Sequence, residues 1–151
     1  MWLTRLLVVG ALAWPTLLGA ALFDRVTDQG PSRSAWAAVV YFAAGQVCHQ
    51  QPERSFHTHN ETWPVCARCA GLYLAAPFGA AWFLARRRRG SRSVRVTPRV
   101  VFAMAAVPTV LTIAWEWAGL GVPSNTIRLL SALPLGAAIM WVLLFVTHRI
   151  D

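Results

Sequence analysis

Lysine is absent from this chain of 151 residues, and acidic residues number only 6. Charged residues of both signs make up 13%, against roughly 25% in an ordinary soluble domain. So little charge excludes a small soluble fold. There is no internal repeat, and no low-complexity tract apart from one arginine run, which leaves repeat architectures out. Cysteine is scarce as well, with three residues and no second CxxC pair. What fills the chain is apolar: 56% hydrophobic residues, mean hydropathy +0.47, and eight tryptophans of the kind that favour a membrane interface. The 14 basic residues, all arginine, bring the net charge to +8. In a soluble protein such a balance suggests nucleic acid. Here loop charge that sets membrane topology explains it more simply, and no nucleic-acid partner is expected.

Five apolar runs organise the chain as one integral membrane domain. They are Leu6–Phe23, Ala35–Val47 (with a helix start near residue 33), Cys69–Ala85, Val100–Leu120 and Ile127–Thr147. The expected fold is an all-α, multi-pass bundle of about five transmembrane helices. The second run reaches only roughly 20 Å at about 1.5 Å per residue, short of a core of about 30 Å. Either its helix begins before Ala35, or the chain beyond it at Cys48 lies below the membrane surface. Seven arginines in residues 86–99 place that loop in the cytoplasm. Strict alternation then puts the Cys/His loop 48–68 and the N-terminus outside, and the C-terminus inside. Arg5, before the first run, sits badly with that N-terminus. A signal peptide ending near Gly19-Ala20-Ala21 is the competing reading of the first run.

The polar residues gather on the outer face. Cys48, His49, Cys66 and Cys69 carry ligand chemistry there, with His57 and His59 between them. Cys66 and Cys69 are expected on the first turn of the third helix, where the helix dipole and Arg68 favour thiolate. A CxxC pair supplies half a tetrahedral site, and Cys48 with a histidine, His49 first, would complete it. Zinc suits such ligands best and iron is second. A CxxC disulfide beside a free Cys48 is the plain alternative, and an oxidising exterior favours it. Glu116, between Trp115 and Trp117 in an apolar helix, is a functional candidate because a carboxylate there is costly. Thr109, Thr112 and Glu116 share a helix face that should point inward. Arg128 opens the fifth helix, where the dipole disfavours a cation, so it needs a partner, and Glu116 is the nearest. Ser124 or Asn125 reads as the N-cap of that helix. Arg54, Arg68, Asn125 and Arg128 are expected to line a cavity beside the cysteines.

The segments Cys48-His49-Gln50-Gln51-Pro52-Glu53-Arg54-Ser55-Phe56 and Pro64-Val65-Cys66-Ala67-Arg68-Cys69-Ala70-Gly71-Leu72-Tyr73 resemble domain-of-unknown-function family 2085. So do Ser124-Asn125-Thr126-Ile127-Arg128 and Gly136, so that the resemblance covers roughly residues 40–140. Glu116 stands near where that family more often has Asp, and Ala70 where it often has Thr. The resemblance implies a small membrane protein with a shared Cys/His motif and implies no activity.

Three functional readings follow. The first is a membrane protein with an extracytoplasmic metal site, structural or hydrolytic, with Glu116 as base in the hydrolytic case. The second is a thiol–disulfide oxidoreductase using Cys66 and Cys69 with a quinone near Arg68. The third is a non-catalytic subunit of a larger redox or photosynthetic membrane complex, whose partners would be the bilayer and other membrane subunits.

Overall fold

A computed structural model describes residues 2–27, 34–88 and 97–150. Helix α1 spans Trp2–Thr27, α2 Ala35–Gly45, α3 Ala67–Arg88, α4 Pro98–Trp117 and α5 Asn125–Ile150. Between α2 and α3 lie a single 3-10 turn, Pro52–Arg54, and an antiparallel hairpin of β1, Ser55–Thr58, and β2, Glu61–Cys66. Apart from that hairpin the described chain is a bundle of five helices. Trp2–Thr27, Pro98–Trp117 and Asn125–His148 are long and apolar enough to cross a membrane. Residues 89–96 of the expected arginine loop, and the expected helix start at residue 33, lie outside the described residues.

Local chemistry sets the helix ends. Pro98 opens α4 behind an extended Thr97, where a missing N–H costs nothing. The same helix closes sooner than its apolar run suggests. Gly119 adopts φ +70°, its N–H reaching the Glu116 carbonyl and the Leu120 N–H the Trp115 carbonyl, both at 3.3 Å. This pair of bonds is a Schellman stop, and it holds Glu116 in the last turn.

The bundle is built inside out compared with a soluble protein. Val39, Phe42, Phe78, Trp82, Val110 and Leu111 face outward, while buried positions are mostly Ala, Gly, Ser and Thr. In lipid, small residues drive helix association by letting backbones approach. The most extensive contact, α3 against α5, shows why. Gly71, Ala75 and Gly79 recur every fourth residue along α3, and a Cβ on Gly79 would overlap the Ala137 carbonyl. From the other side, a Cβ on Gly136 would overlap the backbone of Leu72.

The course of α1 and α2 overturns part of the expected topology. Ala11 packs with Ala80, Phe83, Met140 and Leu144, while Leu18 packs with Ala44, Cys48, Val65 and Ala70. Helix α1 is therefore antiparallel to α3, and its start lies at the Arg86–Arg88 end, as does the end of α5. The start of α1 and the end of α5 lie at one end of the bundle, where strict alternation would put them at opposite ends. The reason is α2, whose 11 residues span roughly 16 Å, about half of a membrane core. Its N-cap, Ser34, donates a hydrogen bond to Asp24 near the end of α1. Its far end reaches down to Leu18, and the hairpin then returns to the same face. There Arg25 lies 3.9 Å from Glu61 and stacks 3.7 Å from the Tyr41 ring centroid, and Tyr41 donates to the Thr62 carbonyl. Arg5 therefore lies toward the same end of the bundle as Arg86–Arg88.

Candidate functional site

The segment after α2 carries Cys48 to the level of Leu18 in α1. It is buried directly after α2, with its N–H on the Ala44 carbonyl at 3.0 Å. Cys66 is not in the first helical turn as expected. It ends β2 opposite Ser55, because extended pairing continues until the residue before α3. That makes Cys66 the N-cap of α3, and its sulfur accepts the backbone N–H groups of Arg68 and Cys69. Cys69 follows in the first turn of α3. The Cys66 N–H donates to Cys48 Sγ at 3.2 Å. The three sulfurs lie within 4.8 Å of one another, and all three cysteines are free.

These contacts lower the Cys66 thiol to about 5, chiefly through the hydrogen bond from the Cys69 thiol, opposed by burial and assisted by the two backbone N–H groups and Cys48. A depressed value means the fold favours the thiolate. That contribution is in force above the ordinary thiol range and is lost as pH falls through about 5. In chelator-treated protein, alkylation of Cys66 should therefore slow less than about three-fold between pH 8 and pH 6, where a thiol of ordinary pKa slows roughly 80-fold. Mass-spectrometric mapping of iodoacetamide labelling checks this, and an ordinary slowing at Cys66 would refute it.

The histidines stand apart from the thiols. His49 is exposed and lines the cavity described below, but its ring is not part of the group of converging ligand atoms. His57 is exposed on β1. His59 and Asn60 form the hairpin tip, both at positive φ (50° and 67°), as a two-residue turn requires. Gln50, part of the Cys-His-Gln run but given no role of its own by sequence reasoning, takes φ 47° and donates to the Tyr41 and Pro64 carbonyls, each at 2.8 Å. It clamps α2 to β2 and so sets the depth of Cys48.

Beside the thiols stands a carboxylate holding three guanidiniums. Glu116 accepts from Arg128 Nη2 at 3.0 Å, Arg68 Nη2 at 2.9 Å and Arg54 Nη2 at 3.1 Å. The Arg128 contact is the one the helix-dipole argument anticipates; the other two are not visible in the sequence. Arg128 is 2% exposed and is the largest of the fully buried side chains. Ser124 is the N-cap of α5, its Oγ accepting the Ile127 N–H at 3.3 Å. Asn125 braces the cluster instead, donating to the Ser55 carbonyl at 2.9 Å and accepting from Arg128 Nη1 at 3.1 Å. Thr109 and Thr112 face α5 as expected, Thr109 donating to the Ser131 carbonyl at 2.8 Å. A cavity of about 300 Å³ joins the two groups. Cys48, Cys66, Cys69, Arg54, Arg68 and Arg128 all line it, whereas Asn125 does not.

Residues 48–142 match the model of a family described as predicted membrane protein (DUF2085). The chain belongs to this family. The matched region of DUF2085 includes every member of the thiol group and of the arginine cluster. A segment of 30 residues, 20% of the chain, is 50% identical to an uncharacterized protein of Methanothermobacter thermautotrophicus and spans 27% of it. A segment of 53 residues, 33% of the chain, is 34% identical to an uncharacterized protein of Methanocaldococcus jannaschii and spans 34% of that protein. The chain thus matches about a third or less of the length of these curated relatives. No solved structure matches it.

Proposed function

We propose that this membrane protein holds one metal ion, zinc by preference, on Cys48, Cys66 and Cys69. The observation that carries this reading is the convergence of three sulfurs within 4.8 Å from three separate elements of the fold. Tetrahedral zinc, with bonds of about 2.3 Å, spaces thiolate sulfurs about 3.8 Å apart, so the donor set fits one ion. Backbone N–H groups on Cys48 and Cys66 are the kind of outer donors that steady metal-bound thiolates. A fourth position would open on the arginine-lined cavity. When bound, the metal would supply Lewis acidity there, or rigidity alone if the position is closed. The oxygens of Glu116 are already engaged by three guanidiniums. Its role is therefore to position the arginines, and the structural version of the site is favoured over the hydrolytic one.

Metal content of chelator-free protein in detergent tests this. About one zinc per chain is expected, and the same in His49→Ala. A metal-free protein with Cys66 and Cys69 joined in a disulfide would overturn it. That outcome favours the second reading, thiol–disulfide exchange linked to a quinone, which the Cys66 thiolate beside Cys69 supports.

The arginine-rich end is assigned to the cytoplasm of an inner cell membrane, with both chain ends there. Fluorescent-protein fusions at either end should both fluoresce; alkaline phosphatase activity from either fusion would reverse the assignment.

A further inference from the structure

A metal on the cysteines does not account for the arginines. Arg54, Arg68 and Arg128 share one carboxylate, which leaves the cluster two positive charges in excess. A Cys66 thiolate would remove one of them. Three thiolates around a divalent ion would also remove one, so the surplus survives in either state. The placement of two of the arginines deepens the difficulty. Arg68 lies in the first turn of α3 and Arg128 in the first turn of α5, where helix dipoles repel cations and attract anions. Arg128 is 2% exposed, and its Nε has no hydrogen-bond partner among the described residues; the Nε of Arg68 is also buried and unpartnered. These two Nε atoms are themselves closed to water, so they mark the cluster as short of acceptors rather than serve as contacts to a ligand. Both arginines line the cavity of about 300 Å³, together with Arg54, whose side chain is 44% exposed and forms its approach from water.

We infer that this cavity binds a phosphate group. Phosphate offers several acceptor oxygens to forked guanidinium donors and carries the charge that three arginines and one glutamate lack. Glu116 acts as an internal anion: it keeps the guanidiniums convergent when the site is empty and weakens the grip on a ligand of the same sign. The cavity lies at the membrane face that carries the hairpin, so the phosphate comes either from solution or from a lipid headgroup. The inference stands on the arginines and goes beyond the metal reading, which can fail without affecting it.

The test uses the full chain as purified, in a maltoside detergent and phosphate-free buffer. Inorganic phosphate is titrated by calorimetry, and phosphatidylglycerol retention is measured in nanodiscs by native mass spectrometry, against a phosphate-free glycolipid. Saturable binding of inorganic phosphate identifies a soluble source. Selective retention of phosphatidylglycerol alone identifies the headgroup. In either case Arg54→Gln and Arg68→Gln should weaken binding about ten-fold or more, and Glu116→Gln should tighten it. Binding by the parent separates a ligand site from a mere clamp, because guanidiniums freed only by loss of the carboxylate would take phosphate in Glu116→Gln alone. Arg54 is exposed enough that its variant should fold whatever happens to the others. Absence of both kinds of binding in the parent would overturn the inference, and so would binding equal to the parent's in Arg54→Gln and Arg68→Gln.

Discussion

Cys69→Ser should lower bound metal from about one ion per chain to less than a tenth of that, with helix content unchanged. The site draws one ligand from each of three elements, so no neighbouring group can replace a lost thiolate. Among the described residues no other group of three or more His, Cys, Asp or Glu gathers its ligand atoms closely enough to hold an ion. His49, His57 and His59 are exposed and stand outside the group. Serine differs from cysteine by one atom, so packing against the cluster of Leu18, Ala44, Val65 and Ala70 should hold. If the ion pins the segment after α2 to α3, the variant should also lose several degrees of thermal stability. Chelation of the parent protein should reproduce that loss, because binding energy spent in the folded state is folding energy. Metal content in Cys69→Ser equal to the parent's would refute the three-thiol site.

Gly79→Leu should be the most disruptive substitution in the bundle, costing about 3 kcal/mol or more. Its first added atom would already overlap the Ala137 carbonyl, which is backbone and cannot turn aside. Helices α3 and α5 would have to separate along the contact that carries Arg68 and Arg128 at its other end. The variant should therefore unfold at lower denaturant and also lose metal. Gly10→Leu and Gly19→Leu are the controls, since nothing lies within 4 Å of a Cβ at either position. Equal denaturation midpoints for Gly79→Leu and the controls would show that the close approach of α3 and α5 does not hold the bundle together.

Much of this was legible in the chain. Long apolar runs separated by arginine-bearing segments mark helices, even with a proline inside four of them, because a lipid-spanning backbone must satisfy its hydrogen bonds internally. The link between α4 and α5 is short enough to bring Glu116 and Arg128 together, and the dipole argument names Arg128 as a cation in need of a partner. The stripe Thr109, Thr112 and Glu116 faces α5 because helical spacing puts it on one side. The hairpin was harder to read. Its strands have 4 and 6 residues and lie within a polar run whose cysteines and histidines suggest a ligand loop. Its two-residue turn rests on His59 and Asn60, a weaker signal than a glycine. The place of Cys66 at the end of β2 is equally hidden, since CxxC spacing fits a helical turn and an N-cap equally well.

Composition and spacing alone decide that this is a helical membrane protein with its thiols in one polar segment, because burial in lipid and helical periodicity act over a few consecutive residues. Only the tertiary structure decides that α2 brings the chain back beside Leu18 of α1, that Cys48 meets Cys66 and Cys69, and that Arg54 and Arg68 join Arg128 on one glutamate. Those outcomes depend on contacts between residues far apart in the chain. Arg68 and Glu116 are 48 positions apart, and their 2.9 Å contact exists because α3 and α4 both pack against α5.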